Sequence, residues 1–288
     1  MPPLPSFFVI GPPRTGSTWL HHVLGRRALL PSPTKETRFF DSHFHRGLDW
    51  YRAHYRQVPN GRCIGEIAPT YFASSSARER IARTVPNARV ICTFRNPVDR
   101  VFSLYRVKRA YGLIHSNFEQ AILSDPELLE SGKYATHLKA WQQALGREQV
   151  LPTIYDDLLG QPQCYLDRLA DFINLPRLAL APSELRRVHG SDTLTKPRLY
   201  PATWLARSMA DWLKAQRLDT VVAAVRNSPL FRLLVGNGPA FEELSSETSR
   251  WIYQHFRPEI EELEILLDRD LTAWKFLGEQ AEPLPLAV

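Results

Sequence analysis

Cysteine is scarce in this 288-residue chain. Cys63, Cys92 and Cys164 are odd in number, widely spaced and outside any C-x-x-C pair. That pattern argues against a disulfide-stapled fold or a cysteine zinc site and suits buried thiols in a reducing compartment. Long apolar runs are missing too: Arg, Pro or Asp interrupts each one, short of the ~18 to 20 residues a membrane helix needs. The amino-terminal Met-Pro-Pro-Leu-Pro-Ser has no basic stretch ahead of an apolar one, so export is not expected and a cytoplasmic location is the default. Internal repeats, low-complexity tracts and interdomain linkers are absent as well. The expectation is one domain over 1–288, with a mainly helical C-terminal third.

Hydrophobic residues make up 44% of the chain, enough for a sizeable core, and Lys and Arg outnumber Asp and Glu by 36 to 30 for a net charge of +6. An excess of that kind fits nucleic acid, an anionic surface or a small anionic ligand. The clusters Arg26-Arg27, Arg106 to Arg109 and Arg186-Arg187 are short, mixed with acids and not interleaved with aromatics, so no nucleic-acid partner is expected. Asp41, His43 and His45, with His21 and His22 upstream, lack the second cluster that would complete a metal site, so no metal is expected. The sequence sets no oligomeric state.

Strand and helix patterns alternate. Ser6 to Ile10 is a short apolar run, followed by a helical pattern from Ser17 with Trp19, Leu20, Val23 and Leu24 on one side. Arg89 to Phe94 has the β-branched and aromatic content of a buried strand, and Pro97 behind it suits the first turn of a helix. A third strand is predicted at Gln149 to Ile154, with helices around Cys164 to Ile173 and Ser246 to Leu267. This alternation predicts an α/β fold: a central parallel sheet of about five strands flanked by helices. The stretch near 176–203 lacks periodicity and holds Lys196, Pro197 and Arg198, which marks it as a candidate lid.

Gly11-Pro12-Pro13-Arg14-Thr15-Gly16-Ser17-Thr18 has the frame of a phosphate-binding loop between a strand and a helix. Such a loop aims backbone N–H groups and the positive end of a helix at phosphate oxygens. The lysine of the usual G-x-x-x-x-G-K-[ST] pattern is absent; Ser17 stands in its place and Arg14 brings a cation into the loop. A magnesium-binding carboxylate at the end of the neighbouring strand is absent too, since Arg95 follows Phe94. Arginine offers a fork of donors suited to a phosphate dianion and repels a metal. Ser103 lies about two helical turns beyond Arg95 and could close on the same anion. A plain strand-to-helix turn and a solvated serine are the ordinary alternatives for these pieces taken singly.

Taken together, Phe7 to Thr18 resembles the 5′-phosphosulfate loop, and Arg95-Asn96-Pro97-Val98-Asp99-Arg100-Val101-Phe102-Ser103-Leu104-Tyr105 the 3′-phosphate motif, of the sulfotransferases that use 3′-phosphoadenosine 5′-phosphosulfate (PAPS). Within that family the similarity is to the glycosaminoglycan type, the heparan sulfate N- and 3-O-sulfotransferase domains and their bacterial relatives. Lys35-Glu36-Thr37-Arg38-Phe39-Phe40-Asp41 is similar to that group's K-E-x-x-F-F-D segment, and Glu66 to Phe72 to its E-K-x-P-x-Y-F segment. Gly132 to Trp141 is similar to G-x-Y-x-x-H-L-x-x-W, and Lys196 to Pro201 to the K-G-R-x-Y-P cofactor loop.

The resemblance implies sulfuryl transfer from PAPS to a hydroxyl or amine of a carbohydrate or small molecule, with PAP as the other product and no metal. It implies Glu36 as general base and Arg14 and Lys35 as charged partners at the reacting end. Pro13, Arg14, Thr15, Gly16, Ser17, Thr18, Arg95, Ser103, Lys196 and Arg198 would hold the nucleotide. Phe40, His43, Tyr71 and Tyr134 are candidate acceptor contacts.

Three departures stand out: Arg14 where the family places a lysine, Ile67 for the lysine of the third segment, and Pro197 for the loop glycine. Either Arg14 does the lysine's task with two donors, or Lys35 or Lys196 supplies that charge. Glu36 could instead be a surface acid paired with Lys35 or Arg38, and His43 or His45 could serve as base. A P-loop phosphotransferase using ATP and Mg²⁺ and a non-catalytic nucleotide-binding module are the rival functions.

Overall fold

The computed structural model describes residues 3–55, 63–185, 194–197, 208–210, 213 and 238–275. They fall into two compact units. One is drawn from Met1–Arg100, Glu130–Val188 and His255–Leu277, the other from Val101–Leu129, His189–Gln254 and Gly278–Val288.

The strands are β1 (Phe7–Val9), β2 (Gly65–Ile67), β3 (Arg89–Phe94) and β4 (Val150–Ile154). The helices are α1 (Ser17–Gly25), α2 (Gly47–Arg52), α3 (Ser75–Thr84), α4 (Pro97–Ala110), α5 (Phe118–Ser124), α6 (Pro126–Glu130), α7 (Tyr134–Leu145), α8 (Tyr155–Gly160), α9 (Pro162–Phe172) and α10 (Ser246–Leu267). Ser74 caps α3 by accepting the Ala77 N–H at 3.1 Å, and Pro162 opens α9 at a position where a missing N–H costs nothing.

The first unit carries the sheet, in the order β2-β1-β3-β4 with every pair parallel. Phe7 registers with Gly65 on one side and Arg89 on the other, and Val90 with Val150. Four strands therefore stand among the described residues against the expected five or so. The alternation read from the sequence captured β1, β3 and β4. It passed over β2, which is three residues long and has a glutamate at its centre.

Parallel strands need cover on both faces, and this sheet has it. On one face Phe7, Val9, Ile67 and Ile91 pack with Trp19, Leu20, Val23 and Leu24 of α1 and Leu166, Leu169 and Ala170 of α9. On the other, Phe8 meets Phe40 edge-on at 5.7 Å, and Phe94 meets Phe72 at 5.7 Å and stacks on Tyr134 at 5.0 Å. Each of these rings is at most 1% exposed, which is worth about 1.5–3 kcal/mol per side chain.

This strand order fixes where a ligand can sit. The chain runs from β1 out to β2 and then returns to β3 on the other side of β1, so the loops leaving β1 and β3 part in opposite directions. A crevice opens at such a switch point, outside the carboxyl ends of the strands. Gly11, just past β1, shows how close the two strands run, because a Cβ there would lie 2.5 Å from the Thr93 nitrogen of β3.

In the second unit, Lys108 of α4 lies 2.5 Å from Asp125 and 2.6 Å from Glu127. Phe118 packs 5.1 Å from Phe102 and 5.0 Å from Tyr105. No helix among the described residues is long and apolar enough to cross a membrane. Of the candidate lid near 176–203, residues 186–193 and 198–203 lie outside the described residues.

Candidate active site

The loop after β1 adopts the shape its sequence requires. Arg14 and Gly16 both have positive φ, 79° and 93°, and the Thr15 hydroxyl closes the turn on the Pro12 carbonyl at 2.8 Å. Thr15 is 2% exposed, so its side chain serves to close the loop from within. Gly16 is the N-cap of α1 and no side chain of the described residues caps that end. Ser17 and Thr18 follow in the first turn, where the helix end carries partial positive charge.

Arg95, delivered by β3, reaches this loop. One of its guanidinium nitrogens lies 3.5 Å from the Arg14 carbonyl, another 3.7 Å from Asp99, and its carbon sits 5.2 Å above the Tyr155 ring. The backbone carbonyl of Arg95 accepts the Tyr134 hydroxyl at 2.9 Å. Burial and the nearby guanidinium of Arg100 act in opposite directions on that hydroxyl, and burial prevails, raising it to about 12. Arg100 itself is wholly buried and donates to Ser131 at 2.8 Å.

Lys35 joins the loop to the acid. Its ammonium lies 3.4 Å from the Thr18 hydroxyl and 3.6 Å from the Glu36 carboxylate. The two side chains are 34% and 29% exposed, so each is partly desolvated yet open to an incoming group. Burial raises the Glu36 carboxyl above the usual range, against the pull of Lys35 and Arg38. Burial likewise lowers Lys35, a trend that Glu36 opposes and the positive charge of Arg14 reinforces. A carboxylate whose proton affinity is raised this way is suited to taking a proton near neutral pH.

The segment after Glu36 turns sharply. Arg38 has φ 51° and ψ 28°, and a single π-helical turn, Phe39–His43, follows. Phe40 and Tyr71 are fully buried, and the Tyr71 hydroxyl accepts the Phe40 N–H at 3.2 Å. Tyr134 is 1% exposed. The hydroxyls of Tyr71 and Tyr134 thus brace backbone, while the Phe40 ring packs edge-on against Phe8 and Tyr71. His43 is only partly covered and lies 5.6 Å from Trp50.

Ser103 is 3% exposed on α4. Lys196 pairs with Glu242 at 3.0 Å, and its backbone N–H donates to the Pro239 carbonyl at 2.9 Å. Arg198 lies outside the described residues. Ile67 is wholly buried among the apolar side chains under α1. No group of three or more His, Cys, Asp or Glu among the described residues is arranged to hold a metal ion.

Sequence reasoning assigned no role to Glu66, Glu184 or Tyr155. Glu66 is wholly buried between apolar neighbours in β2, and a glutamate in an apolar strand is the signal that could have marked it. Glu184 anchors α1: it accepts two bonds from Arg27, at 2.9 and 3.3 Å, and its carbonyl accepts the Trp19 indole N–H at 2.6 Å. Nothing local in the sequence pairs positions so far apart.

A family model described as "Sulfotransferase domain" matches residues 4–215. The "Bifunctional heparan sulfate N-deacetylase/N-sulfotransferase 2" of Bos taurus is 30% identical over 195 residues, covering 60% of this chain and 22% of that protein. The corresponding protein 1 of Mus musculus is 30% identical over 195 residues, with 59% and 22% covered. The chain thus spans about a fifth of the length of these curated relatives. A sulfotransferase crystal structure from Alicyclobacillus acidocaldarius has the same fold, with a TM-score of 0.66 at 19% identity over 94% of this chain and 99% of that one.

Proposed function

Because the chain belongs to the sulfotransferase-domain family, we propose that it transfers a sulfuryl group from PAPS to a hydroxyl or amine of a carbohydrate or small-molecule acceptor. The carrying observation is Lys35, whose ammonium stands within 3.6 Å of both the phosphate-type loop, at Thr18, and the candidate base Glu36. PAPS supplies the activated sulfuryl group and leaves as PAP.

The residues present fit such a nucleotide. The backbone from Pro13 to Thr18 at the α1 N-terminus would receive the 5′-phosphosulfate, with Arg14 adding charge. Arg95 and Ser103 would hold the 3′-phosphate, on the strength of the motif that contains both. Lys196 and Arg198 would add charge from the second loop motif. Glu36 would accept the acceptor's proton as its oxygen or nitrogen becomes nucleophilic, and Lys35 and Arg14 would counter negative charge growing on the bridging oxygen. Lys35 already sits beside Thr18 and Glu36 before any reaction begins, so its field is in place in advance.

The named relatives act on heparan sulfate. Here the buried Ile67 presents no cation where their segment has lysine, which supports an acceptor less acidic than a heparan chain. Titration calorimetry with PAP, followed by transfer of labelled sulfate to a panel of glycans, phenols, alcohols and amines, tests the reading. Micromolar PAP binding and label on at least one acceptor are expected. ATP binding that requires Mg²⁺ and outcompetes PAP would overturn it, as would undiminished activity in Glu36→Gln. Undiminished PAP affinity in Arg95→Ala would remove the 3′-phosphate assignment.

A further inference from the structure

Glu66 is wholly buried, and among the described residues it pairs with no cation. Its carboxylate is instead surrounded by neutral donors. One oxygen accepts the Thr37 N–H at 3.0 Å and the Thr37 hydroxyl at 2.5 Å. The other accepts the Tyr51 hydroxyl at 2.7 Å, and the Tyr71 hydroxyl lies 3.3 Å from both. A buried carboxylate is costly unless its lone pairs are filled, so this arrangement is retained only with all of its donors in place.

The donors are not scattered. Thr37 follows Glu36 directly in the chain, and its hydroxyl in turn accepts the Phe39 N–H at 3.1 Å. Tyr71 takes the Phe40 N–H at 3.2 Å. The backbone from Thr37 to Phe40, including Arg38 at a positive φ that ordinary residues avoid, is thus pinned to one buried carboxylate on β2. Tyr51 is braced by Tyr55 at 3.3 Å and stacks on Phe39 at 4.5 Å, which ties α2 to the same point.

We propose that Glu66 is a positioning residue for Glu36, holding the Thr37–Phe40 turn so that the base is presented at a fixed point beside Lys35. This rests on the sulfotransferase reading above. A displacement of about 1 Å at a reacting group can cost on the order of 100-fold in rate, so loosening the turn should slow catalysis without touching the nucleotide loop. It should also hydrate Glu36. Burial is the main influence raising that carboxyl, while Lys35, Arg38 and Asp41 are the charged groups that act on it. Greater solvent access would therefore move the acidic limb of the rate profile to lower pH.

The test compares Thr37→Val, Glu66→Leu and Glu66→Gln in the full chain. Thr37→Val keeps the backbone N–H bond and removes the hydroxyl, and it is expected to lower kcat about tenfold or more. Its KM for PAPS and its affinity for PAP should stay within about twofold, with the acidic limb displaced downward. Glu66→Leu should do the same more severely. Glu66→Gln keeps the shape, an acceptor for Thr37 and an amide that the tyrosine oxygens can accept, and should restore most of the rate. Wild-type kcat with an unshifted limb in Thr37→Val overturns the proposal. So does a rate loss matched by an equal loss of PAP binding. Should Glu66→Leu fail to fold, Thr37→Val decides alone. If the wild-type chain binds PAP but moves no sulfate to any acceptor, the sulfotransferase reading falls, and the positioning role falls with it.

Discussion

Replacing Gly16 by alanine separates the loop's conformation from its composition. Gly16 has φ 93° and ψ 8°, a left-handed geometry that costs an L residue about 1–2 kcal/mol. The added Cβ would lie 2.9 Å from Leu158 Cδ2 and 3.1 Å from Tyr155 Cε2. Leu158 belongs to the core under α1 and is 6% exposed, so it cannot swing aside into solvent. Crowding of this kind costs about 1–3 kcal/mol. The sum is about 2–5 kcal/mol, which at roughly 2–4 °C per kcal/mol lowers the melting temperature by about 4–20 °C. If the loop relaxes to escape the strain, its N–H groups turn away from a common point and PAP affinity falls about tenfold or more. Gly160 is the control, since a Cβ there meets nothing within 4 Å; Gly160→Ala should melt within about 2 °C of wild type and bind PAP normally. Thermal melts followed by circular dichroism, with calorimetry on the folded variants, supply both readouts. A Gly16→Ala protein that melts and binds PAP like Gly160→Ala would refute the reasoning.

Glu36→Gln should lower kcat by about 100- to 10,000-fold, the usual contribution of a general base, with PAP affinity nearly unchanged; single-turnover sulfate transfer measures the first and calorimetry the second. In wild type the rate should fall as pH drops through a carboxyl value raised above the ordinary glutamate one, because only the ionised form accepts a proton. Glu184→Gln probes stability: the Arg27 guanidinium beside Glu184 holds its carboxyl down at about 2 from an ordinary 4.5. A depressed acid stabilises the fold above pH ~4.5, and that contribution disappears as pH falls through ~2. The shift corresponds to about 3 kcal/mol, reduced by solvent screening to about 1–2 kcal/mol because Arg26, one of the partners, is 57% exposed. Urea melts should show that deficit in Glu184→Gln at pH 7 and almost none near pH 2; an equal deficit at both would show that lost packing and not charge is responsible.

Legibility of the fold followed local physics. β3 and α4 were readable because a β-branched run ends where Pro97 can only begin a helix, and both were found at those bounds. α10 was readable because its apolar face repeats over 22 residues. β2 was not, since three residues give no period and its central glutamate argues against a buried strand until the donors of Thr37, Tyr51 and Tyr71 are known. The site divides in the same way. Loop residues 11 to 18 and Arg95 carry their chemistry in residue type and spacing, and the strand order sets them side by side.

What the sequence hid is support at long separation. Trp19 meets Glu184 across 165 positions, and Arg95 is held by Tyr134 across 39. Tyr71 and Tyr134 illustrate the consequence: each lies inside a motif, and its buried hydroxyl bonds backbone far away in the chain, at Phe40 and Arg95. In this protein the groups that would meet the nucleotide and acceptor are few and partly exposed, such as Lys35 and Glu36. Most of the motif length fixes their position, so a substitution one shell away from the chemistry should appear in kcat and in the pH profile before it appears in nucleotide affinity.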